Sequence, residues 1–343
     1  MITSIPTLRS YTTRGFFTLA VLFLCVFVHA QEKPADAPLA WKGLLGEYML
    51  GGDTICVLER DGILLVRKQT GEISALRGED GRTFRVGDSS SAGAEVCVFN
   101  SGRNGSAVSV TIGGRSFERI LYGGESGESF RIKPLRSPAQ LRVEALRARP
   151  PKENGSFLES DLVDLIRLDS TFQLDVRYAT TNNFMGEQFY SAARAFLQRP
   201  AAKALVRVQQ SLRKRGYSLL IHDAYRPWYV TKMFWDATPQ AQKEFVADPA
   251  KGSRHNRGCA VDLSLFDLKT GRPVEMVSGY DEFSHRAYPE YLGGTSLQRW
   301  YRTLLRREME AEGFKVFDAE WWHFDFRDWR KYAIGTATFE ELR

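Results

Sequence analysis

Hydrophobic positions in the first part of the chain occur in short runs that alternate with turns. TICVLE and ILLVRK flank Asp61-Gly62, and SVTIGGRSFERILYG turns at Gly113-Gly114. Strand-length runs separated by Gly-containing turns are typical of an all-β barrel or sandwich. We therefore predict a small accessory all-β domain over residues 41–140, in which no cluster of His, Asp or Glu indicates metal chemistry. Its expected role is packing, or binding of a cell wall or a partner.

Hydrophobic positions in the second half follow a helical period. RPAAKALVRVQQSLRKRG (199–216) and SLQRWYRTLLRREMEAEG (296–313) have apolar residues at helical spacing and end on a glycine, and Ser296 is the predicted N-cap of the second helix. The strands YSLLIHDAY and FKVF follow these helices directly. This order predicts an α+β catalytic domain over residues 158–343, with helices on a mostly antiparallel sheet.

A break in both patterns separates the two halves. LRARPPKENGSF combines paired prolines, charge and a Gly-Ser step, which is typical of a boundary. We predict a linker over residues 141–157.

Residues 1–30 have the pattern of a secretory signal peptide. Arg9 and Arg14 precede the uncharged run FFTLAVLFLCVFV, and VHA ends at Ala30 before the polar QEKPADAP. A membrane anchor is the alternative, but a spanning helix needs about 20 apolar residues and this run is shorter. We expect a signal peptide over 1–30 and a polar linker over 31–40. The protein is then exported, periplasmic or extracellular, without a stable membrane anchor after cleavage.

Composition and charge are those of an ordinary globular chain. Of the 343 residues, 43% are hydrophobic and 26% are charged, and the formal net charge is +6. The basic residues are scattered rather than aligned, so we expect no nucleic acid as a partner.

Three cysteines, Cys56, Cys97 and Cys259, lie beyond the predicted signal peptide. An oxidising compartment permits disulfides, and Cys56 and Cys97 both lie in predicted strands. A Cys56–Cys97 disulfide and two buried thiols that behave as small hydrophobic side chains remain equal alternatives. Cys259 is left over in the first of these.

A histidine, a glycine and an aspartate stand close together in SRHNRGCAVDLSLFD, residues 253–267. His255 and Asp262 are seven positions apart and would face opposite sides of a straight strand. One metal ion can bind both only if the chain turns between them, and Asn256-Arg257-Gly258 supplies such a turn. A catalytic zinc ion takes three protein ligands from His and Asp or Glu and keeps a fourth position for water.

A second cluster, AEWWHFDF at 319–326, supplies the remaining chemistry. We predict Glu320 at the start of a strand, as general base and acid, and His323 within the strand as a metal ligand. Arg226, in HDAYRPW, is the candidate to stabilise an oxyanion. Each motif alone has a plainer interpretation, because a lone histidine is more often a core residue and EWWH could be a tryptophan-rich core. Together they favour a metal site.

Both motifs resemble those of a known family. The pattern S-x-H-x-x-G-x-A-x-D is met by Ser253, His255, Gly258, Ala260 and Asp262, and E-x-W-H by Glu320, Trp322 and His323. These are similar to the zinc D,D-peptidases (M15 family), which include D-alanyl-D-alanine dipeptidases and D,D-carboxypeptidases. LDVRYATTNNFMG (174–186) and DAYRP (223–227) resemble the dipeptidase branch in particular. The similarity runs from Ser156 to Tyr332 and does not cover the predicted β domain.

The resemblance implies one zinc ion per chain, with His255, Asp262 and His323 as its ligands. It implies Glu320 as the general base and acid and Arg226 as the group that stabilises the transition state. Two departures from the family pattern fall outside the ligand positions: Ala224 replaces a common glycine and Cys259 a common serine.

The resemblance also implies three substrate contacts. Tyr178 and Asp281 match positions associated with the free ammonium group of the substrate, and Ser253 matches a position near the substrate. A carboxylate in a partly dry site suits an ammonium group. The plainer alternative is a core tyrosine and a loop aspartate.

The leading functional hypothesis is zinc-dependent hydrolysis of D-alanyl-D-alanine to two D-alanines in cell-wall dipeptide turnover, with a small D,D-dipeptide as the substrate. The alternative enzyme is a D,D- or L,D-carboxypeptidase that trims peptidoglycan stem peptides. Tyr178 and Asp281 argue against it, because a long acyl donor needs an open channel where these residues would close the pocket. A binding protein without turnover is the third hypothesis, and the presence of both Glu320 and Arg226 opposes it.

Overall fold

Eight antiparallel strands in the first half of the chain close into a barrel in the order β1 to β8, after a single helical turn, α1 (Leu39–Lys42). The strands are β1 Gly46–Leu50, β2 Asp53–Arg60, β3 Ile63–Lys68, β4 Ile73–Gly78, β5 Thr83–Val86, β6 Val96–Ser101, β7 Ala107–Ile112 and β8 Arg115–Arg119. Side chains alternate across the barrel wall, so that Ile55 and Val57 of β2 belong to a core inside the barrel. A barrel is one of the two all-β forms that the sequence predicts.

The structure, a computed structural model, describes residues 32–78, 80–87, 95–123 and 129–342. The predicted signal peptide, residues 1–30, lies outside these ranges. Pro34–Arg343 form one compact unit, so the barrel and the second half pack together. None of the helices in the described ranges is both long and apolar enough to cross a bilayer.

The second half combines helices with a six-stranded sheet in the order β10-β12-β13-β16-β15, with β14 paired to β13. The elements are α2 Pro138–Arg147, β9 Leu162–Asp164, α3 Leu165–Leu168, β10 Gln173–Leu174, β11 Phe196–Gln198, α4 Arg199–Arg213, β12 Tyr217–Asp223, α5 Trp228–Ala237, β13 Ala260–Asp267, β14 Arg272–Pro273, α6 Ser296–Ala311, β15 Phe314–Phe317 and β16 Glu320–Phe326. In this sheet β10 and β12 run parallel and the other pairs antiparallel, as the sequence predicts. β9 and β11 form a separate antiparallel pair.

The two long helices form where the apolar spacing predicts them. α4 buries Leu205, Val208 and Leu212 on one face, and the chain leaves it through Gly216, whose φ of 85° is one that glycine adopts without strain. The predicted N-cap of α6, Ser296, is wrong by one residue. Thr295 caps the helix instead, because its side chain accepts the N–H of Gln298 (3.0 Å) while the Gln298 side chain accepts the N–H of Thr295 (2.9 Å).

The segment between the halves is partly helical. α2 begins at Pro138, a residue favoured in the first turn of a helix. It buries Leu141 and Ala145, which lie four positions apart on one helix face, in the core of the second half. The predicted linker over 141–157 is therefore wrong up to Arg147.

The three cysteines in the described ranges do not pair with one another. All three are free, buried thiols in the structure. Cys97 of β6 lies in the core inside the barrel, whereas Cys56 of β2 lies between the inward-facing Ile55 and Val57 and approaches the Tyr291 hydroxyl outside the barrel (3.8 Å). The Cys56–Cys97 disulfide is therefore wrong, because the two sulfur atoms lie on opposite sides of the barrel wall.

Candidate active site

Three side chains from two strands and a turn meet in the second half. His255 lies in a 3-10 turn that ends at Gly258, whose φ is 65°, and Asp262 follows in β13. Asp262 is paired in register with His323 of β16. The turn that we predicted between His255 and Asp262 is thus present, and it brings both residues to the same side of the sheet.

The metal-binding atoms of these residues point toward one another. His255 Nε2 lies 3.1 Å from His323 Nδ1. Asp262 Oδ1 lies 3.3 Å from His255 Nε2 and 3.0 Å from His323 Nδ1. All three side chains are buried. Two imidazole nitrogens and a carboxylate oxygen that converge in this way can hold a metal ion.

Hydrogen bonds behind the two histidines set their tautomers. His255 Nδ1 lies 2.6 Å from the carbonyl oxygen of Ala224, and His323 Nε2 lies 3.0 Å from Asp325 Oδ1. A carbonyl and a carboxylate only accept hydrogen bonds, so these nitrogens carry the protons. His255 Nε2 and His323 Nδ1 therefore keep lone pairs for a metal ion.

The charges of the site favour a cation. Burial alone would raise the pKa of Asp262, but the two histidines hold it well below its usual value. Burial lowers the pKa of His323, yet Asp325 and Asp262 outweigh this effect and raise it to about 10. Without a metal ion, His323 Nδ1 thus carries a proton at neutral pH. The same negative charge attracts a divalent ion, which would displace this proton and take its lone pair.

Glu320 lies beside the three candidate ligands. Its Oε2 lies 3.8 Å from His323 Nδ1, and 13% of its side chain is exposed. A regular strand would turn residues 320 and 323 to opposite faces, but the pairing of β15 with β16 is irregular at Phe317 and brings Glu320 back to the site. Burial raises the pKa of Glu320 to about 7, against the lowering effect of His323, and Asp262 adds to the rise.

Arg226 is fixed by a buried carboxylate. Its Nε and Nη2 lie 2.9 and 2.8 Å from Asp223 Oδ2, and Nη2 lies 3.6 Å from Asp262 Oδ2. The Tyr190 hydroxyl donates to the other oxygen of Asp223 (2.7 Å). Because the guanidinium also lies over the Tyr178 ring at 5.1 Å, it is held in one orientation.

Asp281 is a further buried carboxylate near the candidate ligands. The Tyr178 hydroxyl donates to its Oδ2 at 2.8 Å, and its backbone has a φ of 58°. Burial and the nearby Asp262 raise the pKa of Asp281 well above its usual value. Within the described ranges no arginine or lysine forms an ion pair with it, so Asp281 can accept a cationic group from a ligand.

One cavity of about 120 Å³ joins the predicted site residues. It is lined by Tyr178, Arg226, Ser253, His255, Asp262, Asp281, Glu320 and His323. Phe184, Phe234, Phe245, Phe283 and Phe317 form its apolar wall. Ser253 lines it while its hydroxyl accepts the N–H of His255 at 3.2 Å.

Three supporting residues were not predicted from the sequence. Asp325 holds His323, Asp223 holds Arg226, and the Tyr280 hydroxyl donates to Asp262 Oδ2 at 3.1 Å. The first has a local signal, because Asp325 lies two positions after His323 and side chains two apart share a strand face. Tyr280 has none, since its contact depends on the path of the loop after β14.

Comparison with known proteins identifies similar chains. The model of a peptidase family, Peptidase_M15, described as D-ala-D-ala dipeptidase, matches residues 158–335. The D-alanyl-D-alanine dipeptidase of Escherichia coli (strain K12) is 33% identical over 51% of this chain and 89% of its own length. That of Enterococcus faecium is 32% identical over 45% and 85%.

Two solved structures show a distant similarity to the chain. The LdcB LD-carboxypeptidase is 17% identical with a TM-score of 0.30, over 63% of this chain and 89% of its own. SurE with D-Leu is 23% identical with a TM-score of 0.22, over 25% of this chain and 21% of its own.

Proposed function

Since this chain belongs to the D-Ala-D-Ala dipeptidase family of M15 peptidases, we propose that it hydrolyses D-alanyl-D-alanine to two D-alanines with one zinc ion per chain. The residues that line one cavity support the proposal. They include the candidate metal ligands His255, Asp262 and His323, and Glu320 with its raised pKa. They also include Asp281, which forms no ion pair with an arginine or lysine among the described residues. A substrate whose free ammonium group lies close to the scissile bond matches that arrangement.

His255, Asp262 and His323 would hold the zinc ion, because their hydrogen-bonding partners leave the right lone pairs free. Imidazole ligands suit zinc, whereas magnesium and calcium prefer oxygen ligands alone. When bound, zinc polarises the scissile carbonyl and makes water a stronger nucleophile near neutral pH.

Glu320 is the general base and acid of the proposal. As a carboxylate it takes a proton from the attacking water while the bond from water oxygen to carbonyl carbon forms. As a carboxylic acid it then gives this proton to the amine nitrogen while the C–N bond breaks. A pKa of about 7 suits both steps, because each protonation state is accessible near neutral pH.

Arg226 stabilises the negative charge that develops on the carbonyl oxygen. Asp223 fixes the guanidinium, so its N–H groups need no reorganisation during the reaction. Asp281, with Tyr178, accepts hydrogen bonds from the substrate ammonium group.

Selectivity for a free amino terminus tests this function. We expect the purified protein with zinc to release D-alanine from D-alanyl-D-alanine and not from its N-acetylated form. In Asp281→Asn, KM for the free dipeptide should rise about 10- to 100-fold, because a hydrogen bond to a charged group is lost. D-alanine release from both substrates is the measurement. Cleavage of the acetylated peptide by the wild type at a similar rate would move the assignment to a carboxypeptidase.

Export would place this reaction where cell-wall turnover releases dipeptides, and we propose recovery of D-alanine there. Recovery of the intact chain, with residues 1–30 attached, from the cytosolic fraction alone would oppose this location.

A further inference from the structure

The loop that carries Asp281 also touches the barrel. It lies between β14 and α6, and His285 Nε2 lies 2.8 Å from Glu47 Oε1 of β1. The Tyr122 hydroxyl, just beyond β8, donates to the other oxygen of Glu47. The Arg286 guanidinium lies over the Tyr122 ring at 5.1 Å. Glu47, which is 6% exposed, thus holds His285 directly and Arg286 by way of the Tyr122 ring.

The same loop is tied internally from the anchor back to Asp281. Arg286 forms an ion pair with Glu282 (3.2 Å), whose Oε1 also accepts from the Ser284 hydroxyl (2.6 Å). The residue before Glu282 is Asp281, whose φ of 58° is a left-handed conformation that a non-glycine residue keeps only when its surroundings hold it. The contacts from Glu47 through His285 and Arg286 to Glu282 supply such surroundings.

We propose that Glu47 is a positioning residue for Asp281, acting through His285, so that the barrel contributes to recognition of the substrate ammonium group. This inference rests on the proposed role of Asp281. The barrel is then a support of the substrate cavity, in addition to any surface it offers to other molecules.

The barrel has a second contact of similar kind that serves as a matched control. Glu59 of β2 is 1% exposed and accepts the N–H of Ser296 (2.7 Å) at the start of α6. Its other oxygen accepts the N–H of Gly62 (2.7 Å). The Glu59 side chain thus joins the barrel to the start of α6. The backbone N–H of Glu59 donates to the carbonyl oxygen of Gly294 at the far end of the loop (3.0 Å), and Glu59→Gln keeps this contact.

The test compares Glu47→Gln with Glu59→Gln in the protein from residue 31 to residue 343, with zinc. We expect Glu47→Gln to raise KM for D-alanyl-D-alanine about tenfold with kcat within about twofold, since loss of one charged hydrogen bond corresponds to about that factor. Zinc content should not change. Glu59→Gln should leave KM unchanged. His285→Gln removes the same contact from the loop side and should raise KM as much as Glu47→Gln does. Because this variant leaves the barrel sequence unchanged, a misfolded barrel cannot explain its effect.

A double-mutant cycle separates positioning from a general structural effect. In the Asp281→Asn background, Glu47→Gln should change KM no further, because its effect passes through Asp281. Multiplying effects, or equal KM values for Glu47→Gln and the wild type, would overturn the inference. If the wild type does not cleave the dipeptide, the proposed function fails. Amide hydrogen exchange of residues 277–288 then still decides the inference: faster exchange in Glu47→Gln than in Glu59→Gln supports it, and equal exchange overturns it.

Discussion

We expect Glu320→Gln to lower kcat for D-alanyl-D-alanine by about 10²- to 10⁴-fold, the range that general acid–base catalysis contributes. Glutamine keeps the size of the side chain but cannot take a proton from water and return it to the leaving amine. The zinc content should stay at one ion per chain, because Glu320 lies outside the triad His255, Asp262 and His323. Steady-state kinetics and metal analysis on the same preparation measure both quantities.

Asp318→Asn is the matched control. Asp318 lies two positions before Glu320 and is exposed, so this variant removes a neighbouring carboxylate without touching the cavity. Its kcat should equal that of the wild type. A Glu320→Gln enzyme with a kcat within threefold of the wild type would exclude Glu320 as the base.

For Asp262→Asn we expect the second large effect, loss of the metal and of activity together. Asp262 supplies the one carboxylate oxygen of the triad, 3.3 and 3.0 Å from the ligand nitrogens of His255 and His323. Asparagine has no negative charge to offset the positive charge of the ion. We expect zinc per chain to fall from about one to near zero after dialysis, with no measurable D-alanine release.

A second variant should weaken zinc binding without abolishing it. Asp325→Asn keeps all three ligands but loses the carboxylate that holds the far nitrogen of His323 (3.0 Å). Its affinity for zinc should fall about 10- to 100-fold, and added zinc should restore activity. If Asp262→Asn bound zinc as firmly as Asp325→Asn, Asp262 would not be a ligand.

Local patterns in the sequence predict the residues that form the candidate site. The turn at Gly258 and the strand position of Asp262 follow from glycine and from strand alternation, and the structure brings His255, Asp262 and His323 together accordingly. The hydrophobic period likewise predicts α4, the all-β fold of the first half and the α+β fold of the second half.

Features that depend on contacts between distant segments could not be predicted from the sequence. Cys56 and Cys97 both lie in predicted strands, but only the closed barrel places them on opposite sides of its wall. α2 was hidden because the paired prolines at 150–151 dominate the pattern, although Leu141 and Ala145 already have helical spacing. The contact of Glu47 with His285 joins residues 238 positions apart and has no local signal.

Zinc titration of chelator-stripped wild-type protein, with D-alanine release from D-alanyl-D-alanine as the readout, is the most direct test of zinc-dependent cleavage. We expect no release without metal and a rise that saturates at one zinc ion per chain. Full release by metal-free protein would exclude a zinc-dependent reaction. So would zinc binding at one ion per chain with no cleavage of the dipeptide.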